Sequence, residues 1–315
     1  MLSISLHFFQ LFKIFFLRSC ITLCMKIIIR TNLIIGLTLI SNLILGQNRI
    51  HKSYWSYNIH LTSTHFLSDL GGKNTRGSND ISDLDFSSTR YGLGTGLQYN
   101  TPSGLSIGFD LMAARLYGDD SETNSDRRYR NLHSRTDIFE TTTNIKYTHL
   151  KNGFYFSVGA GFCFFRPMAK LNNKWYELRS LNTEGQGIDP EKNTYEKYTP
   201  VIPFCIGKKF HLDNRMSIAI DLSLRKAFSD YLDDVSTTYF DKQLIRNQTG
   251  DIAAELSNRS FGDTGIGQTG SKRGNPENND NYFFVGIKLF LPIDKTNNFH
   301  KRHYRMRKDK CPNKW

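Results

Sequence analysis

Residues 216–224, Met-Ser-Ile-Ala-Ile-Asp-Leu-Ser-Leu, decide the fold that this sequence predicts. Large apolar side chains occupy every second position of the stretch, and small or polar residues fill the positions between them. Because successive side chains of a β-strand point to opposite faces, this alternation predicts a strand with one apolar and one polar face. The same period recurs in 105–111, 154–164 and 283–291.

Strand-like segments recur along the chain after residue 50. They span 53–66, 88–100, 105–117, 136–150, 154–166, 199–211, 215–228 and 281–293. Each is long enough for a tilted strand that crosses a membrane, which takes about 9–11 residues. No run after residue 46 approaches the ~20 apolar residues that a transmembrane helix needs.

The connections between these segments alternate in length. Tight turns rich in Pro, Gly, Asn and Asp lie at 100–104, 151–153 and 212–214, whereas long polar connections span 67–87, 118–135, 167–198 and 229–280. Outer-membrane barrels place short turns in the periplasm and long loops outside. The sequence therefore predicts an all-β fold, an eight-stranded antiparallel up-and-down transmembrane β-barrel with short periplasmic turns and long extracellular loops. A soluble β-sandwich is the alternative that composition alone leaves open.

The N-terminal region predicts export. Lys26 and Arg30 precede an apolar run, Leu33 to Leu45, which ends at the small residue Gly46. This is the pattern of a Sec signal peptide, here spanning 25–46. We interpret residues 1–24 as an extension from a mis-assigned start codon, residues 47–293 as the barrel and residues 294–315 as a basic periplasmic tail. The expected location is the bacterial outer membrane.

The positive charge of the chain is concentrated at its ends. The formal net charge is +12, and four basic residues of the leader account for four of these charges, which leaves +8. The tail from Lys295 onward contributes +7 of this remainder, so the barrel itself is nearly neutral. We expect the tail to dock an acidic periplasmic partner or anionic headgroups, with a solvated tail as the alternative. The candidate docking residues are Lys301, Arg302, Arg305, Arg307, Lys308 and Lys310.

The polar face of the predicted strands carries charged residues that would lie in a narrow interior. Side chains nearly fill the interior of an eight-stranded barrel, and glycines on the same face leave room for them. We expect an ionic network that plugs the barrel and passes little solute. Its candidate members are Arg90, Asp110, Glu140, Lys146, Asp221, Arg225 and Lys288.

Motifs for catalysis or cofactor binding are weak in this sequence. Gly265-Ile-Gly-Gln-Thr-Gly270 matches a dinucleotide motif but lacks the required strand before it and helix after it. His133, Ser134 and Asp137 offer only a loose Ser/His/acid set for a lipid-A-modifying enzyme. Loop carboxylates lack EF-hand spacing. We therefore predict no catalytic residues, no metal, no cofactor and no nucleic-acid binding.

Two further expectations concern cysteine and lipid. Strand alternation places Cys163 and Cys205 on different faces of their strands, which argues against a disulfide between them. Arg127, Arg128 and Arg130 are candidates for contacts with lipopolysaccharide phosphates at the outer rim. Outer-membrane lipid and lipopolysaccharide are thus expected partners.

Four stretches of the chain resemble a known family. They are Ser68-Asp-Leu-Gly-Gly72, Asp83-Leu-Asp-Phe-Ser-Ser-Thr-Arg-Tyr-Gly92, Arg130-Asn-Leu-His-Ser-Arg-Thr-Asp-Ile-Phe-Glu140 and Asp230-Tyr-Leu-Asp-Asp-Val-Ser-Thr-Thr-Tyr239. They resemble, in the same order, the PorG-like (DUF6089-type) outer-membrane barrels of Bacteroidetes. The likeness covers residues 50–293. One departure is Ser68, where the family pattern has Gly.

This resemblance implies a part in the type IX secretion and gliding machinery. Barrels of this type associate with a periplasmic ring formed by a lipoprotein (PorK) and its partner (PorN), and they are not enzymes. The leading hypothesis is a barrel that anchors or assembles such a ring. The alternatives are a small general porin or an adhesion barrel that acts through its extracellular loops, and then a lipid-A-modifying enzyme.

Overall fold

The computed structural model describes residues 53–70, 88–123, 126–213, 216–262 and 265–293. The chain divides into two compact units, 1–51 and 52–315, and all described residues belong to the second. The predicted leader and the basic tail with its six candidate docking residues lie outside the described residues.

Eight long strands form the wall of the barrel, and a ninth short strand extends it. The strands are β1 (Tyr54–Leu67), β2 (Arg90–Asn100), β3 (Leu105–Asp119), β4 (His133–Thr148), β5 (Phe154–Leu171), β6 (Lys174–Glu177), β7 (Tyr198–Asp213), β8 (Met216–Ala227) and β9 (Asn281–Pro292). The first long strand pairs with the last, and β4 pairs with β5, so the sheet closes on itself. Every pairing is antiparallel. The predicted eight-stranded antiparallel barrel is confirmed.

The strand ends differ from the predicted segments on the long-loop side. β4 begins at His133 rather than at 136, and β5 continues to Leu171 rather than ending at 166. The extension of β5 pairs with β6 through a turn at Asn172 and Asn173, both with positive φ. This hairpin carries the wall beyond the apolar positions that the sequence pattern detects.

The connection after β8 contains two short helices that the sequence pattern does not predict. They are α1 (Lys242–Thr249) and α2 (Asp251–Ser257). Asp241 caps α1, since its carboxylate accepts from the backbone N–H groups of Gln243 and Leu244. Among the described residues, no helix is long and apolar enough to cross a membrane.

The two faces of the wall follow the predicted alternation. Large apolar side chains point outward and are exposed, as in Ile220 (54%) and Phe156 (58%), whereas their neighbours along the strand point inward and are buried or half-buried. An aromatic girdle surrounds the short-turn end of the outer face and includes Trp55, Tyr99, Phe154 and Phe156. An apolar outer band with an aromatic rim is the surface of a barrel that spans a membrane.

Candidate functional site: the barrel interior and its outer cap

The first interior ion pair joins two sides of the barrel. The Nε of Arg225 on β8 lies 2.8 Å from Oε1 of Glu140 on β4, and the Tyr282 hydroxyl donates to Oε2 of Glu140 at 2.8 Å. The Arg225 guanidinium also lies 4.7 Å from the centre of the Phe284 ring. Glu140 is 1% exposed. Each charge thus has an opposite charge or a hydrogen bond to offset the cost of removing it from water, which a buried ion pair requires.

A second interior pair lies nearer the short-turn end. Lys288 on β9 places its Nζ 2.8 Å from Oδ2 of Asp221 on β8. The Tyr155 hydroxyl donates to the same carboxylate oxygen at 2.7 Å, and the Cys205 thiol lies 3.4 Å from it. One carboxylate therefore connects three different strands through its contacts.

The other predicted network residues occupy separate positions. The Nζ of Lys146 lies over the rings of Tyr155 and Phe290, at 4.9 and 4.6 Å from their centres. Asp110 accepts from the Asn144 amide at 2.7 Å. Arg90 lies apart at the outer end of β2, where its guanidinium is 4.2 Å from the centre of the Tyr117 ring. The structure thus brings six of the seven predicted charges into the interior and corrects the placement of Arg90.

Apolar and aromatic side chains fill the interior above and between these pairs. A buried cluster towards the long loops includes Met112, Leu116, Phe165, Tyr282 and Phe284. In other parts of the interior the side chains and backbone leave little free space. A Cβ atom at Gly96, for example, would collide with the Asp110 carboxylate and the Phe109 carbonyl. The interior is therefore packed with side chains rather than open to solute.

The long loops close over the barrel through buried ion pairs. Arg130 reaches both carboxylate oxygens of Asp120, at 2.7 and 2.8 Å, and donates to the backbone carbonyl of Asp69 at 2.6 Å. Arg130 also donates to the backbone carbonyl of Arg273, whose own guanidinium lies 2.9 Å from Glu184. We call these pairs and the loops that they join the outer cap.

Glu184 ties the cap together and is a residue that sequence reasoning missed. Its carboxylate accepts from the backbone N–H of Ser236 at 2.9 Å and from the Thr237 hydroxyl at 2.6 Å. Arg130, predicted to contact lipopolysaccharide, is instead 5% exposed and pairs inside the cap. Arg127 donates to the Asp69 carbonyl at 3.0 Å, and Arg128 is exposed. The prediction that Arg130 contacts lipopolysaccharide phosphates at the outer rim is therefore wrong, because its side chain is buried.

Four buried carboxyl groups lie where the cap meets the barrel: Asp69, Asp230, Asp233 and Asp280. Burial raises the pKa of all four, to about 8 for Asp233 and about 9 for Asp230, because a charged carboxylate is poorly solvated there. Mutual repulsion adds to this effect at Asp280. In the described part of the chain, no three His, Cys, Asp or Glu side chains are arranged to hold a metal ion.

The raised pKa values make the cap sensitive to pH in a defined direction. Between about pH 4 and pH 8, folded Asp233 keeps a proton that the unfolded chain releases. The unfolded state therefore gains stability relative to the folded state as the pH rises. The stabilisation that these acids contribute to the folded state is fully present below about pH 4 and is lost as the pH rises through their pKa values in the folded state.

The candidate catalytic residues are not brought together. Ser134 points inward and is fully buried, whereas His133 and Asp137 lie on the opposite, outward face of β4. The His133 ring contacts the backbone N–H of Lys170 and the Arg259 guanidinium, and Asp137 pairs with Arg115. Strand alternation alone separates the serine from its supposed partners, so this set cannot act as a triad.

The glycine motif lies in turns, and the two cysteines are buried without a disulfide between them. Gly265, Gly267 and Gly270 all have positive φ and lie in turns that follow α2. Cys163 and Cys205 are both buried on the inward face, which corrects the prediction that they lie on different faces. They form no disulfide because they lie at different heights on the wall. In the pairing of β5 with β7, Cys163 is opposite Thr199, and Cys205 is opposite Ser157.

No family model and no curated protein matches the chain. Among solved structures, it is similar to Ail, the attachment invasion locus protein of Yersinia pestis, with 6% identity and a TM-score of 0.38 over 77% of this chain and 100% of Ail. It is also similar to Neisserial surface protein A, with 5% identity and a TM-score of 0.37 over 76% of this chain and 99% of that protein. A major outer membrane protein from Thermus thermophilus gives 10% identity and a TM-score of 0.32 over 77% of this chain and 100% of that protein. With similarity this low, the barrel is assigned from its own strand pairing.

Proposed function

We propose that this protein is a non-enzymatic outer-membrane barrel that anchors or assembles the periplasmic ring of the type IX secretion and gliding machinery. The observation that supports a scaffold is the filled interior: two buried ion pairs and a cluster of aromatic and aliphatic side chains occupy the space that a channel would need. The cap adds a second closure on the long-loop side.

Such a barrel acts through its surfaces, and two of them face the periplasm in this proposal. One is the set of tight turns, which hold their shape through backbone hydrogen bonds such as that from Gly104 to Thr101 and that from Gly153 to His149. The other is the basic tail, whose sequence follows directly after β9. The resemblance to PorG-like barrels supplies the partners, a ring lipoprotein of the PorK type and its PorN-type partner.

Co-purification of the tagged full-length chain from outer membranes tests the proposal. We expect ring proteins to elute with the parent protein and to be reduced when the six basic tail residues are replaced by Gln. A control for charge removal elsewhere replaces two exposed basic residues of the long loops, Arg128 and Lys272, by Gln and should retain the ring proteins. Recovery of the barrel without ring proteins, together with normal secretion in a deletion strain, would refute the assignment.

Planar-bilayer recordings separate the scaffold from a general porin. The packed interior leads us to expect no stable conductance steps from the purified protein, whereas a porin would give them. Lipid A from cells that overexpress the protein should be unchanged in mass, because the supposed Ser/His/acid set is split between two faces of β4. A new lipid A species would instead favour an enzyme.

A further inference from the structure

The outward face of three neighbouring strands carries a concentrated group of arginines. The register places Arg115 of β3, Asp137 of β4 and Arg166 of β5 side by side. Asp137 lies 2.6 Å from Arg115 and 3.8 Å from each of Arg135 and Arg166. We call these three arginines around Asp137 the arginine cluster. One carboxylate thus serves three guanidinium groups, so the cluster keeps a net positive charge.

The height of the cluster on the wall matches the outer boundary of a membrane. Tyr147 of β4 lies at the level of the aromatic girdle, and Phe139 lies eight residues from it on the same strand. Eight residues span about 26 Å along the strand, or about 20 Å along the barrel axis at a strand tilt of about 40°. Asp137 lies one outward position higher, about 25 Å above the girdle, which is the height of the apolar band of such barrels. Phe139 and Phe164 form the last apolar row below the cluster.

Exposure identifies which arginines are presented to the surroundings. The side chains of Arg115 and Arg166 are 46% and 56% exposed, although each contacts Asp137. Arg135 is more covered, because its guanidinium stacks on Trp175 at 4.1 Å from the ring centre. Two guanidinium forks therefore remain available for planar, bidentate contacts with phosphate or carboxylate oxygens.

A polar depression of about 560 Å³ lies on the outer wall above the cluster. Its basic lining residues are Arg90, Lys170 and Arg259, with His133 and Trp175 between them and Asp119 as the one acidic group of the lining. Cluster and depression together form a continuous cationic area at the level where lipid headgroups begin. The displaced Arg90 of the predicted interior network belongs to this area.

The opposite wall has no equivalent among the described residues. At the corresponding outer end of β8, Lys226 lies between Ile202 of β7 and Asn281 of β9. This position offers one cation without a cationic neighbour in the adjoining strands. The cluster is therefore a local site and not part of a general basic rim.

We propose that the arginine cluster and the depression above it bind the phosphate groups of lipid A, the membrane anchor of lipopolysaccharide. In its bis-phosphorylated form, lipid A carries one phosphate group on each of its two sugar rings, so it presents two anionic groups and matches a wide cationic area better than a single phosphodiester does. The acyl chains of the same molecule would lie against Phe139 and Phe164 below. The proposal rests on the outer-membrane assignment in the proposed function, not on the secretion ring.

The test is a titration of the purified full-length protein in zwitterionic micelles, with native mass spectrometry to count bound lipid. The probes are bis-phosphorylated lipid A, dephosphorylated lipid A and phosphatidylglycerol. We expect the parent to prefer bis-phosphorylated lipid A, and the R115Q/R166Q variant to bind it about tenfold more weakly or worse, because two charged hydrogen-bond donors are lost. Both proteins should still show heat-modifiable migration, which reports a folded barrel.

The matched control, K208Q/K226Q, removes the same charge from outward-facing positions outside the cluster and should bind like the parent. Equal affinity of the parent and R115Q/R166Q, or equal weakening by the control, would overturn the proposal. Phosphatidylglycerol that competes as well as lipid A would also overturn it. Because the titration needs no ring protein, failed co-purification of the ring would refute the proposed function alone.

Discussion

Replacement of Glu140 probes the interior most directly. Its carboxylate accepts from Nε of Arg225 at 2.8 and 3.1 Å and from the Tyr282 hydroxyl at 2.8 Å, and its side chain is 1% exposed. In the E140A variant, Arg225 is left as a buried charge without its carboxylate. Breaking a buried pair from one side typically costs about 3–5 kcal/mol. We expect the free energy of unfolding to fall by that amount.

The assay is urea unfolding of the barrel in lipid vesicles, followed by tryptophan fluorescence and by the heat-modifiable gel shift. The E140L/R225M variant removes both charges and should recover most of the loss, since apolar replacement of a whole buried pair is often close to neutral. The control E177Q breaks the exposed Lys197–Glu177 pair, whose lysine side chain is 54% exposed, and should change stability by less than about 1 kcal/mol. An E140A midpoint equal to that of E177Q would refute the buried-pair reasoning.

The cap and the interior packing give three further predictions. Because the folded pKa values of Asp233 and Asp280 are raised, hydrogen exchange in loop 229–280, corrected for intrinsic rates, should quicken from pH 5 to pH 8, and D233N/D280N should reduce this dependence. G96V should abolish the heat-modifiable band, since its side chain would collide with the Asp110 carboxylate, whereas L97V on the outward face should retain it. Cys163 and Cys205 should resist maleimide until the barrel unfolds, as peptide mapping of the modified protein would show.

The local pattern predicted the strands and most side-chain faces, although not those of the two cysteines, and distant contacts determined the rest. Alternation is a property of consecutive residues, so it predicted all eight wall strands and the inward direction of Glu140 and Arg225. It could not give their partners, because the two lie 85 residues apart and meet only when the register sets their height. The cap was missed for the same reason: Arg130 and the carbonyl of Arg273 are 143 positions apart.

The sequence pattern did not predict the secondary structure of the long loops, for a different reason. β6 has four residues and α1 has eight, so neither is long enough to establish a period. The arginine cluster was also beyond sequence reasoning, although each of its members was visible. Arg115, Asp137 and Arg166 become neighbours only through two successive strand pairings.

The interior charges have a second consequence, which concerns the register of the sheet. A slip of one residue in β8 would turn Asp221 and Arg225 to the outer face and Ile220 and Leu222 to the inner one. A charged side chain that faces lipid is unfavourable, more so towards the midplane than near the interfaces, and Glu140 and Lys288 would at the same time lose their partners. The two pairs therefore act against misregistered barrels even where their net contribution to stability is small. This explains why charges occupy an interior that apolar side chains could fill.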